Sequence, residues 1–358
     1  MPRARLRDLG ITIGSYPTGP FNAITDIPGV LVGQVTLIAD QPQVIRTGLT
    51  VILPRDGAIG HDYAFAGFHR YNGCGEMTGI HWVEETGMLS SAIGLTNTVQ
   101  VGMVRDAMTE ISWSYPQFGP FFLPVVAETL DDRLNDLTAR PLTRQHILEA
   151  MLSAHGGSVP EGNVGGGTGM ICHEFKGGIG TSSRVVETKS GTFTLGALVQ
   201  ANYGDRSHLR VDGVPVGREI GYDITPSPDQ PMPFSNSIIA IVATDAPLLG
   251  EQRRRLAQRA ANGLARVGGT GHNTSGDLFL AFATGHHLPA RPDGPIQLGV
   301  MLPNQQLNPF FDAVVELVEE SILNALTAAE TMTGSQGHTA YALPLDELQR
   351  IMAKYHRM

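Results

Sequence analysis

The residues with the clearest chemical potential lie in Pro233-Phe234-Ser235-Asn236-Ser237, which gives way to the apolar run Ile238-Ile239-Ala240-Ile241-Val242-Ala243. That run is rich in β-branched residues and too short for a helix, so it reads as a strand buried on both faces. Ser237 at its head would hold its hydroxyl rigidly at the rim of a sheet. Asn236 before it is a residue type that tolerates unusual backbone angles. This arrangement points to cleavage of the Asn236–Ser237 bond by the protein itself, leaving Ser237 as a new N-terminus and nucleophile. The plainer reading is a loop that enters a core strand. A serine hydroxyl is a weak nucleophile until a base takes its proton. An N-terminal Ser237 carries such a base in its own α-amine, whose reference pKa of roughly 7.7–8.0 suits work near neutral pH.

A second serine, in Ser275-Gly276-Asp277, opens another apolar strand, Leu278–Ala283. Asp277 there would serve equally well as a turn or cap residue. HExxH, GxSxG, Walker A and kinase signatures do not occur in the chain. The glycine-rich stretch Asn163–Met170 has no G-K-[ST] ending, so it reads as closely packed backbone rather than a phosphate loop. The 12 histidines are dispersed. His286 and His287 face opposite sides of an extended segment, so no metal site is expected. Cys74 and Cys172 are too few for a disulfide framework or a clustered-cysteine zinc site, and read as small buried residues.

These residues need a large scaffold, and 358 residues with 42% hydrophobic content supply one. The net charge of −9 leaves no basic face for nucleic acid, and Arg253-Arg254-Arg255 reads as the solvated side of an amphipathic helix. No leader-like apolar segment follows Met1–Asp8, and no run reaches the ~18–20 apolar residues a membrane span needs. A soluble, cytoplasmic protein without membrane contact is expected. Strands are predicted over 30–38, 48–54, 124–129, 192–200, 238–243 and 278–283, and helices over 103–111, 143–153, 247–267 and 308–329. Residues 64–87 read as loop-rich, and the polar, proline-rich 218–236 as a mobile loop leading to the cut. The pattern is mixed α/β.

Tyr16–Val30, Val164-Gly165-Gly166-Gly167-Thr168-Gly169-Met170, Val199-Gln200-Ala201-Asn202-Tyr203-Gly204, Asn236-Ser237-Ile238-Ile239, Ala243–Leu248 and Ser275-Gly276-Asp277 together carry a resemblance. The chain resembles the L-aminopeptidase/D-amidase and β-peptidyl aminopeptidase family, whose members cut themselves into an α- and a β-chain. The resemblance implies a single four-layer αββα domain over 1–358, cut into an α-chain 1–236 and a β-chain 237–358. It implies that Ser275 and Asp277 hold the nucleophile's network. It also implies an oxyanion site built from an Asn and a Tyr. Asn202 matches the first; the region Glu128–Asp136 has no tyrosine, which leaves Tyr115 as the candidate for the second. Glu128 and Asp131 are candidates for receiving a substrate ammonium group, or are simply solvated loop charges.

The expected function is a self-processing serine aminopeptidase/amidase acting on short peptides, amides or esters of L-, D- or β-amino acids, with no metal or organic cofactor. The resemblance further implies assembly of αβ units into multimers, a tetramer being the expected size. The alternatives are an endo-acting oligoamide hydrolase, an acyltransferase, or a non-catalytic binding protein on the same scaffold.

Overall fold

The apolar runs pair into two sheets in the computed structural model, which describes residues 1–228 and 237–357. The first sheet has four strands in the order β1 (Leu31–Ala39), β2 (Ile45–Leu53), β5 (Ile93–Asn97), β6 (Val125–Thr129). The second has six, in the order β4 (Met88–Leu89), β3 (Asp62–Gly73), β12 (Gly276–Pro289), β11 (Ser237–Thr244), β10 (Gly191–Asn202), β9 (Gly178–Thr188). Two short ribbons complete the strands: β7 (Ile171–Cys172) with β8 (Phe175–Lys176), and β13 (Met332–Thr333) with β14 (Thr339–Ala340).

The double-sided burial expected of β11 follows from its position between layers. Ile238, Ala240 and Val242 pack into one core with the helices α5 (Glu251–Val267) and α6 (Asn308–Ala328). Ile239, Ile241 and Ala243 pack into a second core shared with the four-stranded sheet. Val104, Met108 and Ile111 of α2 (Val101–Ser114) and Ile147, Ala150 and Met151 of α3 (Arg144–Leu152) belong to that second core. The result is the expected αββα stacking of mixed α/β layers. The short helices α1 (Ile80–Thr86) and α4 (Val216–Glu219), with α7 (Leu345–Lys354), lie at the periphery.

Helix α6 departs from the simple amphipathic stripe. Its carboxylates Glu316 and Glu320 are buried, and both pair with fully buried Arg184 of β9, at 3.0 and 2.6 Å. The N-terminal segment covers the remaining side, with Leu6, Leu9, Ile11 and Ile13 in the core and Arg7 bridged to Glu320 at 2.8 Å. Buried charge is tolerated here because each ion has an opposite partner and further hydrogen bonds.

Three expectations need correction. Residues 64–87 hold most of β3 and all of α1, with a turn between them, rather than mostly loop; glycines obscured the strand period. Gly67 is required because a side chain there would begin 2.4 Å from the Arg254 backbone nitrogen on α5. Arg253 is buried rather than solvated, its guanidinium 4.6 Å from the centroid of the Phe65 ring. Cys74 is exposed, while Cys172 is buried. The glycine-rich stretch does pack closely: a side chain on Gly166 would begin 2.5 Å from the Leu95 carbonyl oxygen. Residues 229–236, which include Asn236 and the last part of the proline-rich approach to it, lie outside the described residues. No helix among the described residues is long and apolar enough to cross a membrane.

Candidate active site

Three adjacent strands end at one edge of the six-stranded sheet, and each brings one of the expected residues. Ser237 is the first residue of β11, directly opposite Asn202, the last residue of antiparallel β10. On the other side β11 runs parallel to β12, with Ile238 in register with Asp277. Side chains alternate along a strand. Ser237 therefore shares the side of Ile239, which faces the gap between the sheets.

Asn202 opens into the same gap. Its Nδ2 donates to the Leu130 carbonyl at 2.8 Å, and its Oδ1 accepts from the Ile171 amide at 2.8 Å. These two bonds fix which end of the amide faces which way and leave the second Nδ2 hydrogen free of either. A donor oriented in advance is what stabilises an oxyanion without reorganisation at the moment of reaction.

On the β12 side, the Ser237 hydroxyl oxygen accepts from the Gly276 amide at 3.0 Å. The Ser275 hydroxyl donates to Asp277 Oδ1 at 2.6 Å. A turn sets this geometry, the Ser275 amide donating to the His272 carbonyl at 2.8 Å. Residue 276 must be glycine here, since a side chain would begin 2.5 Å from the Cys74 carbonyl oxygen. Ser237, Ser275 and Asp277 are all nearly withdrawn from solvent, at 3%, 3% and 1% exposure. Burial pushes the Asp277 carboxyl up to about 6, against the opposing pull of the Ser275 hydroxyl, the Ile238 amide and His272.

Glu128, on β6, is the fifth residue that reaches this edge. Its Oε1 accepts from the Glu76 amide at 2.9 Å, and its Oε2 accepts from the Thr98 hydroxyl. Gly75 lies between this carboxylate and Gly276: a side chain on it would begin 3.2 Å from Glu128 Oε1 and 3.1 Å from the Gly276 Cα. The acid is buried, and its pKa is raised by that burial; the other groups acting on it are Thr98 and Glu76, neither of them a cation. A buried carboxylate without a cation is costly unless a ligand supplies one.

The structure does not bring Tyr115 or Asp131 into this group. Tyr115 follows the far end of α2, a helix of 14 residues, which places it ~20 Å along the axis from the Asn97 end; there it packs against Phe118. Asp131 is 1% exposed and turned inward to Thr47, Asn97 and Asn135, with burial pushing its carboxyl up to about 7. It is an interior polar group rather than a lining of the cleft.

Two residues escaped the sequence reading. The Tyr203 ring is buried next to Asn202, with its hydroxyl hydrogen-bonded to nothing among the described residues. Lys176 is fully buried, and its ammonium donates to the carbonyls of Gly167, Met170 and Gly177 at 3.2, 2.7 and 2.9 Å. It thereby holds the loop that leads to Ile171, whose amide orients Asn202. The available signal was a lysine set among glycines and apolar residues, which is rarely a solvated position.

Comparisons with known proteins identify the family. The profile of Peptidase family S58 matches residues 22–340. The β-peptidyl aminopeptidase BapA of Sphingosinicella microcystinivorans is 43% identical over 374 residues, spanning 99% of this chain and 93% of that protein. The solved structure of a Burkholderia sp. β-aminopeptidase superposes with a TM-score of 0.91 at 47% identity, covering 98% of this chain and 99% of that one. The L-aminopeptidase D-Ala-esterase/amidase of Ochrobactrum anthropi, described as a prototype for the serine aminopeptidases and a new variant of the Ntn hydrolase fold, gives a TM-score of 0.91 at 40% identity, covering 100% of this chain and 99% of that one. With a family profile matched over most of its length and relatives this similar from end to end, the chain belongs to peptidase family S58 and is a hydrolase of peptide and amide bonds.

Proposed function

We propose that this hydrolase is a self-processing aminopeptidase whose nucleophile is Ser237. The observation that carries the reading is the meeting of Ser237, Asn202 and the Ser275–Asp277 pair on three neighbouring strand ends. In the first event the Ser237 Oγ attacks the Asn236 carbonyl carbon, and its proton passes through Ser275 towards Asp277. The C–N bond then breaks, the proton goes to the departing amine, and the acyl group rests on Oγ as an ester. Water hydrolyses the ester, leaving a carboxylate on Asn236 and restoring the Ser237 hydroxyl. The products are an α-chain 1–236 and a β-chain 237–358.

The liberated α-amine then takes the hydroxyl proton during attack on substrate, and Asn202 donates to the oxyanion. Glu128 receives the substrate's ammonium group, which restricts cleavage to the N-terminal residue of short peptides, amides or esters. That buried acid favours the aminopeptidase over an endo-acting enzyme, which would have no cation to offer it. β-Amino acid, D-alanine and L-amino acid derivatives are the substrates to test first, since the relatives' names mention them.

A denaturing gel of the purified protein should show two bands, of about two-thirds and one-third of the chain, with sequencing of the smaller starting at Ser237. Ser237→Ala should remain a single band and lose amidase activity towards amino-acid amides, and N-acetylation of the substrate should abolish hydrolysis by the native enzyme. Normal processing of Ser237→Ala would refute the nucleophile assignment, and unimpaired hydrolysis of the acetylated amide would refute the role of Glu128.

A further inference from the structure

Away from the nucleophile, two loops bring three metal-ligating side chains to one point. Asp205 and His208 belong to the turn around the 3-10 segment Arg206–His208, just beyond the end of β10. His272 lies on the connection between α5 and β12, three residues before Ser275. The Asp205 carboxylate and the ring nitrogens of His208 and His272 offer ligand atoms that all lie within 4.8 Å of one another. His208 Nδ1 stands 3.8 Å from Asp205 Oδ2, too far for a hydrogen bond, and is a buried nitrogen with no hydrogen-bond partner among the described residues. The two imidazoles lie edge to face with centroids 5.9 Å apart.

Each carrier of these ligands is fixed by contacts that do not involve the other two side chains. The Asp205 carbonyl is within 2.9 Å of His173 Nδ1. Arg206, inside the turn, is buried with its guanidinium 4.3 Å from the centre of the Phe175 ring. The His208 carbonyl is packed so closely against Gly268 that a side chain there would begin 2.0 Å away. The His272 carbonyl accepts from the Ser275 amide and from Asn72 Nδ2. Preorganised carriers of this kind are what a metal centre requires.

From these observations we infer a binding site for one divalent transition-metal ion of the zinc class, held by His208, His272 and the Asp205 carboxylate. Two imidazoles and one carboxylate match the ligand preferences of Zn²⁺, with water completing the coordination. Ser237 is not among the ligands, so the ion is a staple rather than a participant in hydrolysis. It joins the arm that carries Asn202 to the arm that carries Ser275 and Asp277. A cavity of about 10 Å³, lined by Tyr203, Gly269, His272, Ser275 and Asp277 among others, lies where the two arms meet. The inference stands independently of the proposed self-processing.

The test uses tag-free protein stripped with a chelator and then titrated with Co²⁺, followed by absorption spectroscopy, and with Zn²⁺, followed by calorimetry. The expected result is one ion per chain, visible d–d bands of histidine-bound cobalt, and an unfolding temperature several degrees higher at saturation, because the ion binds the folded chain. His208→Ala and His272→Ala should each weaken binding by roughly 10-fold or more. Both positions are partly or wholly exposed, and metal-free unfolding temperatures equal to that of the parent will show that the variants are folded. Binding well below one ion per chain, or binding unchanged in the double variant, would overturn the site; the second outcome would assign the ion to other histidines.

Discussion

At the scale of single residues, Asp277 sets the most specific expectation. Its carboxyl, pushed up to about 6 by burial, stands above the ordinary carboxylate value of 3.8. The native state therefore keeps a proton that the unfolded chain releases between about pH 4 and pH 6. The group's contribution to stability is complete below about pH 4 and is lost as the pH rises through about 6. Self-cleavage runs the other way, since only the carboxylate accepts the Ser275 proton. The rate at which the freshly folded, uncut chain cleaves itself should rise with slope one up to about pH 6 and level off above it. Asp277→Asn should cleave itself slowly and without that acid limb; an acid limb of unchanged shape in that variant would remove Asp277 from the proton path. Ser237 was legible in sequence because it heads an apolar run; Asn202, Ser275 and Asp277 also sit where such runs begin or end, but only the family resemblance gave them a role. The second oxyanion donor was not: a tyrosine's usefulness depends on where a helix ends, and α2 carries Tyr115 to the wrong end of the layer.

At the scale of elements, the active edge depends on the loop whose Ile171 amide orients Asn202. The Lys176 ammonium gathers three carbonyls of the 167–177 segment, and the same segment presents the Ile171 amide to Asn202. Lys176→Met would leave those carbonyls buried without a donor, at a cost on the order of 2–5 kcal/mol. The unfolding temperature should fall by roughly 5 °C or more, and kcat should drop because Asn202 loses its orientation. A variant equal to the parent in both measurements would show that the loop holds itself. The strands and helices of highest apolar content were readable from period alone, β11, α5 and α6 among them. The 62–89 region was not, because Gly67 answers to the backbone of α5, a partner almost two hundred residues away in the chain. Arg253 was misread for a related reason: charge argues for water until an aromatic ring and a carbonyl, here Phe65 and Leu248, take its place.

At the scale of the whole molecule, the order of strands decides what a break before Ser237 would do. β11 and β12 come from the segment after that bond, yet β10 flanks them on one side and β3 on the other, both from the segment before it. The downstream piece also carries α5 and α6, which roof the sheet built mainly by the upstream piece. Scission would thus unlatch one terminus without parting the molecule. Two fragments seen on a denaturing gel should travel as a single species in native gel filtration, and isotopically labelled and unlabelled processed proteins, once mixed, should not trade pieces. Exchange on the timescale of hours would contradict the interleaving. In this fold, severing the backbone would be a local rearrangement at a sheet edge, and heredity of the pair would be settled when the uncut chain folds: each Ser237 would keep for life the Asn202 and Glu128 with which it was synthesised.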